Sequence, residues 1–130
     1  MKVQPIVLVL DDDSAVLTAL SDSLESQASF QLLVAQTYSA ASKMIAINPV
    51  DIIVADVLLA GEATGIDFCN EAIGRYPNVA LVLVSADMES HFKSYPLRAA
   101  WLRKPFGVAE LLDAIADARA AVNLCHSQSE

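Results

Sequence analysis

The stretch that decides the fold is residues 6–13, which read Ile-Val-Leu-Val-Leu-Asp-Asp-Asp. An apolar run without polar alternation is typical of a strand that is covered on both faces, as in a parallel sheet. Three acidic residues end this run abruptly. Because ionisable groups beside a buried strand are costly unless they are paired or bind an ion, the end of this strand is the first candidate for a functional site.

Four more apolar runs follow the first, at residues 30–35, 52–55, 79–84 and, more weakly, 99–102. The segments between the runs have apolar residues at helical spacing. They predict helices over residues 14–26, 39–47, 65–76 and 108–122, with one short helix within 87–98. Alternating strands and helices, joined by right-handed crossovers, predict one α/β domain with a five-stranded parallel sheet and helices on both faces.

Composition narrows the choice of partners. The 130 residues suggest a single domain, and 16 acidic against 8 basic residues give a net charge of −8. Such a chain repels nucleic acid and anionic membrane surfaces, so we expect neither as a direct partner. The sequence shows no signal-peptide pattern, which favours a cytoplasmic location. Cys69 and Cys125 have no metal-ligand spacing and are expected to be reduced thiols.

Acidic, hydroxyl or basic side chains that could take part in chemistry follow the first, third, fourth and fifth predicted strands. Because parallel strands point the same way, their carboxyl ends meet at one edge of the sheet, where open α/β sheets bind ligands. The residues expected at this edge are Asp11, Asp12 and Asp13 after the first strand, Asp56 after the third, Ser85 after the fourth and Lys104 after the fifth.

These residue types indicate phosphoryl chemistry. Carboxylates brought together recruit a cation or raise one another's pKa, and hard carboxylate oxygens suit Mg²⁺. Lys104 offers a compact positive charge and Ser85 a hydroxyl donor. An Asp carboxylate in such surroundings can act as the nucleophile towards a phosphoryl group, whose charge the cation and the ammonium would neutralise.

The chain resembles the receiver domains of two-component signalling over residues 4–122, which leaves 123–130 as a frayed C-terminal tail. The resemblance implies a flavodoxin-like (βα)5 fold with strand order 2-1-3-4-5. Four short motifs in family order carry it: Asp11-Asp12 at the end of the first strand, Asp56 in Val-Ala-Asp-Val-Leu-Leu, Ser85-Ala86, and Lys104-Pro105-Phe106.

In receiver domains a histidine kinase or phosphotransfer protein donates its phosphoryl group to a central aspartate, which by resemblance is Asp56. The resemblance also implies direct Mg²⁺ coordination by Asp12, Asp56 and the backbone carbonyl of Leu58, with Asp11 acting through water. The activity would be confined to self-phosphorylation and autodephosphorylation, so the domain would not be an enzyme in the ordinary sense.

The remaining roles concern the output of the signal. By resemblance, Ser85 and Lys104 contact the phosphoryl oxygens, and Ser85 also belongs to the switch. Trp101 takes the place of the switch aromatic. The expected targets are a downstream protein or a fused effector.

Several positions depart from the common receiver pattern. Ala60 stands where a loop proline is frequent, and the loop 61–65 is longer than usual, a length similar to that of receivers attached to hybrid sensor kinases. Ser85 replaces a more frequent threonine but keeps the hydroxyl. The stretch from Ser85 to Lys104 is short for the family, which predicts a short or irregular fourth helix.

Two other functions are compatible with parts of the pattern. One is a pseudo-receiver that only binds a partner protein; the complete set of acidic, hydroxyl and lysine residues argues against it. The other is a small phosphatase of the haloacid dehalogenase type, whose Asp-x-Asp motif Asp11 and Asp13 mimic. Ala15 stands where that family has threonine or valine, and the later acidic pair of that family is absent.

Overall fold

The computed structural model describes residues 4–26, 30–57, 64–86 and 98–128. Within these ranges strands and helices follow one another in the predicted order, except that no helix is described between the fourth and fifth strands. The strands are β1 (Ile6–Leu10), β2 (Gln31–Ala35), β3 (Ile52–Asp56), β4 (Ala80–Ser85) and β5 (Ala100–Arg103), and the helices are α1 (Ser14–Glu25), α2 (Tyr38–Ile47), α3 (Gly65–Arg75) and α4 (Val108–Gln128).

All five strands form one parallel sheet in the order β2-β1-β3-β4-β5, which confirms the predicted topology. β3 and β4 are buried along their whole length. Their unbroken apolar runs are therefore explained by helices on both sides. The strand order reverses between β1 and β3, and such a switch point opens a crevice at the carboxyl ends of the strands.

Side-chain alternation along the strands divides the core into two apolar clusters. On one face α1 and α4 cover residues such as Val9, Val54 and Val84. On the other face α2 and α3 cover residues such as Leu8 and Leu83. The helices on both faces are thus confirmed.

The second face also buries the thiol of Cys69 completely. Burial raises the pKa of this thiol to about 12, while the positive charge of Arg98 opposes the shift. Cys69 is therefore a protonated core residue at neutral pH, in agreement with the expected reduced thiol.

Side-chain caps fix where the helices begin. The Asp13 carboxylate accepts a hydrogen bond from the Ala15 N–H at 2.9 Å, and the Thr37 hydroxyl accepts one from the Ala40 N–H at 3.0 Å. Both caps satisfy backbone donors that have no partner within the helix. Asp13 is therefore the N-cap of α1, and Thr37 is the N-cap of α2.

The end of α4 differs from the prediction. The helix continues to Gln128, beyond the predicted end at Val122, so the backbone of the expected frayed tail is helical as far as Gln128. No glycine or proline follows Gly107 in the sequence, so the strongest helix-ending residues are absent after Val122, and Asn123 does not end the helix. The short helix predicted within 87–98 falls almost wholly outside the described residues.

No helix in the described ranges combines the length and the apolar character needed to cross a membrane.

Candidate functional site

Three carboxylates meet at the carboxyl edge of the sheet, as predicted. β1 and β3 are neighbours with Leu10 opposite Ala55, which brings the residues that follow Leu10 next to Asp56. One carboxylate oxygen from each of Asp11, Asp12 and Asp56 lies within 4.8 Å of the others. Asp11 and Asp56 are only 2% and 8% exposed, whereas Asp12 is open to solvent. This acidic cluster can hold a metal ion.

Lys104 reaches this acidic cluster from the far end of β5. Its Nζ atom lies 2.9 Å from Asp56 Oδ2 and 3.3 Å from Asp11 Oδ2, so one ammonium bridges two carboxylates. The backbone N–H of Lys104 donates to the Ser85 carbonyl at 2.9 Å, which extends the β4–β5 pairing to the edge of the sheet. The peptide bond between Lys104 and Pro105 is cis.

Burial and charge oppose each other at Asp11. Burial is the largest influence and raises the pKa of Asp11, whereas the hydrogen bond that its Oδ1 accepts from the Asp13 N–H at 2.9 Å lowers it. The nearby Asp56 charge raises the pKa further and Lys104 lowers it, and the net result is a raised pKa. Ionised Asp11 is therefore held at a cost in the folded domain.

At Lys104 the interactions with neighbouring carboxylates have a larger effect on the pKa than burial has. Burial lowers the pKa of its ammonium, but the hydrogen bond and charge of Asp56, followed by those of Asp11, outweigh burial and raise the pKa. Lys104 is thus positively charged at neutral pH, yet it sets a single ammonium against three carboxylates. A hard divalent cation that accepts oxygen ligands, such as Mg²⁺, fits the excess negative charge and the donor set.

Ser85 and Trp101 lie on the same face of the sheet. Ser85 ends β4 and is 2% exposed. Alternation along β4 places Ser85 on the face of Leu83, and Trp101 pairs in register with Leu83 on β5. Trp101 is half-buried against the α2–α3 cluster, as expected for partly packed tryptophan. Its role as a switch stays a prediction.

Some predicted features lie outside the described residues. These are the backbone carbonyl of Leu58, which was expected to bind the metal, and the loop with Ala60 and most of 61–65. Gly65, in contrast, was not predicted as a site residue although it contacts the backbone of Asp56. The predicted start of α3 at residue 65 is confirmed, and the capping pattern Thr64-x-x-Asp67 explains it, but nothing in the local sequence indicates the contact with β3.

Comparison with known proteins identifies the family of the chain and supports its fold. The family model described as response regulator receiver domain matches residues 7–116. No curated protein matches the chain. Among solved structures, a response regulator receiver domain protein from Clostridium thermocellum is 22% identical, with a TM-score of 0.78, and the match covers 93% of this chain and 98% of that one.

Two further structures give the same result. A CheY-like receiver domain protein from Methanospirillum hungatei is 19% identical with a TM-score of 0.82, covering 93% of this chain and 98% of that one. A response regulator receiver protein from Sinorhizobium medicae is 22% identical with a TM-score of 0.81, covering 92% and 97%. These likenesses show the fold, and the family model covers most of the chain, so the chain belongs to the response regulator receiver domain family.

Proposed function

We propose that this receiver domain accepts a phosphoryl group on Asp56 from a histidine kinase or a phosphotransfer protein, in the presence of Mg²⁺. The observation that carries the proposal is the contact of Lys104 with both Asp56 and Asp11 inside the acidic cluster. A positive charge held 2.9 Å from the acceptor carboxylate is placed to stabilise negative charge that builds up during transfer.

The chemistry assigned to Asp56 is nucleophilic. A carboxylate oxygen of Asp56 attacks the phosphorus atom, and the bond between phosphorus and the donor imidazole nitrogen breaks, with its electron pair returning to the nitrogen. Lys104 neutralises charge on the phosphoryl oxygens, and the Ser85 hydroxyl donates a hydrogen bond to one of them. Mg²⁺ would supply a second neutralising charge when bound.

The metal ligands of the proposal are Asp12, Asp56 and the backbone carbonyl of Leu58, with Asp11 acting through water. The hydrogen bonds of Asp11 support an indirect role. Its Oδ1 atom already accepts a hydrogen bond from the Asp13 N–H, and its Oδ2 atom contacts the Lys104 ammonium. Asp12 is exposed within the same cluster and can approach a hydrated cation directly.

The structure disfavours the phosphatase alternative. That mechanism needs Asp11 as nucleophile and Asp13 as the neighbouring acid, but the Asp13 carboxylate caps α1 through the Ala15 N–H. The pseudo-receiver alternative is less favoured because Asp56, Lys104 and the acidic cluster are assembled together. The output proposed is a switched contact with a downstream protein or a fused effector, in the cytoplasm, without enzymatic activity beyond self-phosphorylation and autodephosphorylation.

Acetyl phosphate with Mg²⁺, followed by intact mass measurement, tests the proposal. The unmodified sequence should gain one phosphoryl group, and Asp56→Asn should gain none. Asp51→Asn is the matched control because Asp51 lies next to the opposite end of β3, and it should be labelled normally. Equal labelling of Asp56→Asn and the unmodified protein would refute Asp56 as the acceptor, and no labelling of any variant would leave the pseudo-receiver as the better reading.

A further inference from the structure

Gly65, the first residue of α3, lies buried against the end of β3. A Cβ atom added to Gly65 would overlap the Asp56 carbonyl oxygen, and it would lie 2.8 Å from the Asp56 carbonyl carbon and 3.3 Å from the Val57 Cα. All three are backbone atoms, which cannot rotate away as the end of a flexible side chain could. Glycine is needed here because two backbones approach closely.

The backbone that follows the proposed acceptor is held from two sides. The Val57 N–H donates to the Val84 carbonyl of β4 at 2.9 Å. The Val57 carbonyl accepts from the Gly65 N–H at 3.0 Å. The peptide groups next to Asp56 are thus clamped between β4 and the first turn of α3, and the position of α3 fixes how far this segment extends beyond the sheet.

α3 itself is firmly anchored. The Thr64 hydroxyl accepts from the Asp67 N–H at 3.1 Å, and the Asp67 carboxylate accepts from the Thr64 N–H at 2.9 Å, which completes a capping box. Phe68 is fully buried, and Glu71 accepts hydrogen bonds from Tyr38 at 2.6 Å and Ser42 at 2.9 Å on α2. A Cβ at Gly65 would therefore displace the Asp56–Val57 backbone and not only the helix.

We propose that Gly65 is a positioning residue for phosphoryl transfer to Asp56. Without a side chain at position 65, α3 packs directly on the acceptor backbone and holds the Asp56 carboxylate 2.9 Å from the Lys104 ammonium. The inference rests on the proposed function and adds a residue of α3 to it.

The test compares Gly65→Ala with Gly74→Ala. Gly74 lies in the same helix, and a Cβ atom added to it would meet no other atom within 4 Å. The readout is the rate of labelling by acetyl phosphate with Mg²⁺, measured by intact mass at a temperature where circular dichroism shows each variant folded. Displacement of reacting groups by about 1 Å costs up to about 100-fold in rate, so Gly65→Ala should be labelled about 10- to 100-fold more slowly. Gly74→Ala should be labelled at the unmodified rate.

Two further variants separate positioning from loss of stability. Thr64→Ala removes the cap without adding bulk at position 65, and it should lower the melting temperature while leaving the labelling rate within about twofold. Gly65→Ala combined with Gly74→Ala should recover melting temperature, because alanine favours the helix at position 74, without recovering the rate.

Three results would overturn the inference. Folded Gly65→Ala could be labelled at the rate of the unmodified protein, or the double variant could recover the labelling rate together with its stability. In the third case Gly65→Ala fails to fold both alone and with Gly74→Ala, which would make Gly65 a requirement of the fold alone. If the unmodified protein is not labelled at all, the proposed function fails instead, and this result is distinguishable from the other three.

Discussion

Two aspartates bracket β3, the central strand, and they serve different purposes. Asp51 precedes the strand and is exposed; its carboxylate accepts from the Ile6 N–H at 2.8 Å. Its backbone N–H donates to the Ile6 carbonyl at 3.0 Å, and its carbonyl accepts from the Ala80 N–H at 2.9 Å. Asp51 therefore joins the starts of β1, β3 and β4 by satisfying backbone groups.

Asp56 ends the same strand in different surroundings. It is 8% exposed, its carboxylate meets the Lys104 ammonium at 2.9 Å, and it belongs to the cluster with Asp11 and Asp12. At the amino edge of the sheet a carboxylate completes the hydrogen bonding of the fold. At the carboxyl edge, three carboxylates of the described residues gather around the one ammonium of Lys104, an arrangement that costs stability and that a bound cation or a transferred group can relieve.

The largest expected effect follows removal of the ammonium at the carboxyl edge. Lys104→Ala should slow labelling by acetyl phosphate about 100-fold or more, because a charge that stabilises the transferring group is lost. It should also lower the free energy of unfolding by about 2 kcal/mol at pH 7, because two largely buried carboxylates lose their ammonium partner. Arg103→Ala, at the exposed neighbouring position, is the control for both measurements.

If Lys104→Ala were labelled like Arg103→Ala, the bridge from Lys104 to Asp56 would be a structural ion pair without a part in transfer. The charged residues at the carboxyl edge would then affect the stability of the fold but not phosphoryl transfer.

Two adjacent acids sharpen the comparison within one loop. Asp12→Ala should lower Mg²⁺ affinity, measured by titration, at least about tenfold, since even indirect partners of a metal site contribute that much. Asp12→Ala should also block phosphorylation while the domain stays folded. Asp13→Ala should lose the α1 cap and about 1 kcal/mol of stability, yet still be labelled. Strong destabilisation by Asp12→Ala would instead mark Asp12 as structural.

When Mg²⁺ is absent, substitution of Asp11 should raise the free energy of unfolding, whereas substitution of Asp51 should lower it. Burial is the main reason that the pKa of Asp11 in the folded protein lies above 3.8. The protonated carboxyl group is therefore favoured by folding, and its contribution to the free energy of unfolding is complete below pH 3.8. That contribution is lost as the pH rises through the folded-state pKa. At pH 7 the ionised carboxylate therefore lowers the free energy of unfolding, and Asp11→Asn should raise that free energy.

That gain should shrink as the pH is lowered towards 3.8, because protonated Asp11 no longer carries the cost. Asp51→Ala, in contrast, should lose about 1 kcal/mol at pH 7 because the Ile6 N–H loses its acceptor. Urea denaturation at pH 7 and pH 4 measures both variants. A loss of stability in Asp11→Asn at pH 7 would mean that the contact with Lys104 outweighs burial.

The smallest expected effect is spectroscopic. Beryllofluoride with Mg²⁺ should change the emission or quenching of Trp101, the sole tryptophan, because Ser85 would be drawn towards the new acceptor atoms and Trp101 shares its face of the sheet. Ser85→Ala should weaken the change while Asp56 can still be phosphorylated. Identical emission and quenching in the fully modified protein would show that the output uses a surface away from Trp101.

The sequence was most informative where local patterns decide the structure. β1 begins and ends at the predicted residues, Ile6 and Leu10, since an unbroken apolar run bounded by acids has one interpretation. The predicted end of α4 at Val122 was wrong because Asn123 does not stop this helix, and no glycine or proline follows it in the sequence. The residues of the carboxyl edge were predictable because strand direction alone brings Asp11, Asp56 and Lys104 together.

Long-range contacts were not predictable in the same way. Nothing in the order of residues shows that Gly65 packs on the Asp56 backbone, because that contact depends on how α3 is seated against β3. Similarly, Asp51 and Asp56 both flank one apolar run, and only tertiary packing makes one exposed and the other nearly buried. The pattern of apolar and polar residues in the sequence therefore located the sheet edge that carries the site. Tertiary packing determines the contacts and the exposure of each residue at that edge.

The most direct test of the account is to locate the phosphoryl group on the chain. Protein treated with acetyl phosphate and Mg²⁺ is reduced with borohydride, which converts an acyl phosphate on aspartate to homoserine, and is then digested and sequenced by mass spectrometry. The account predicts homoserine at position 56 and unchanged aspartate at positions 11, 12 and 51. Homoserine at position 11 or 12 with intact Asp56, or at none of these positions after confirmed exposure to the phosphodonor, would contradict it.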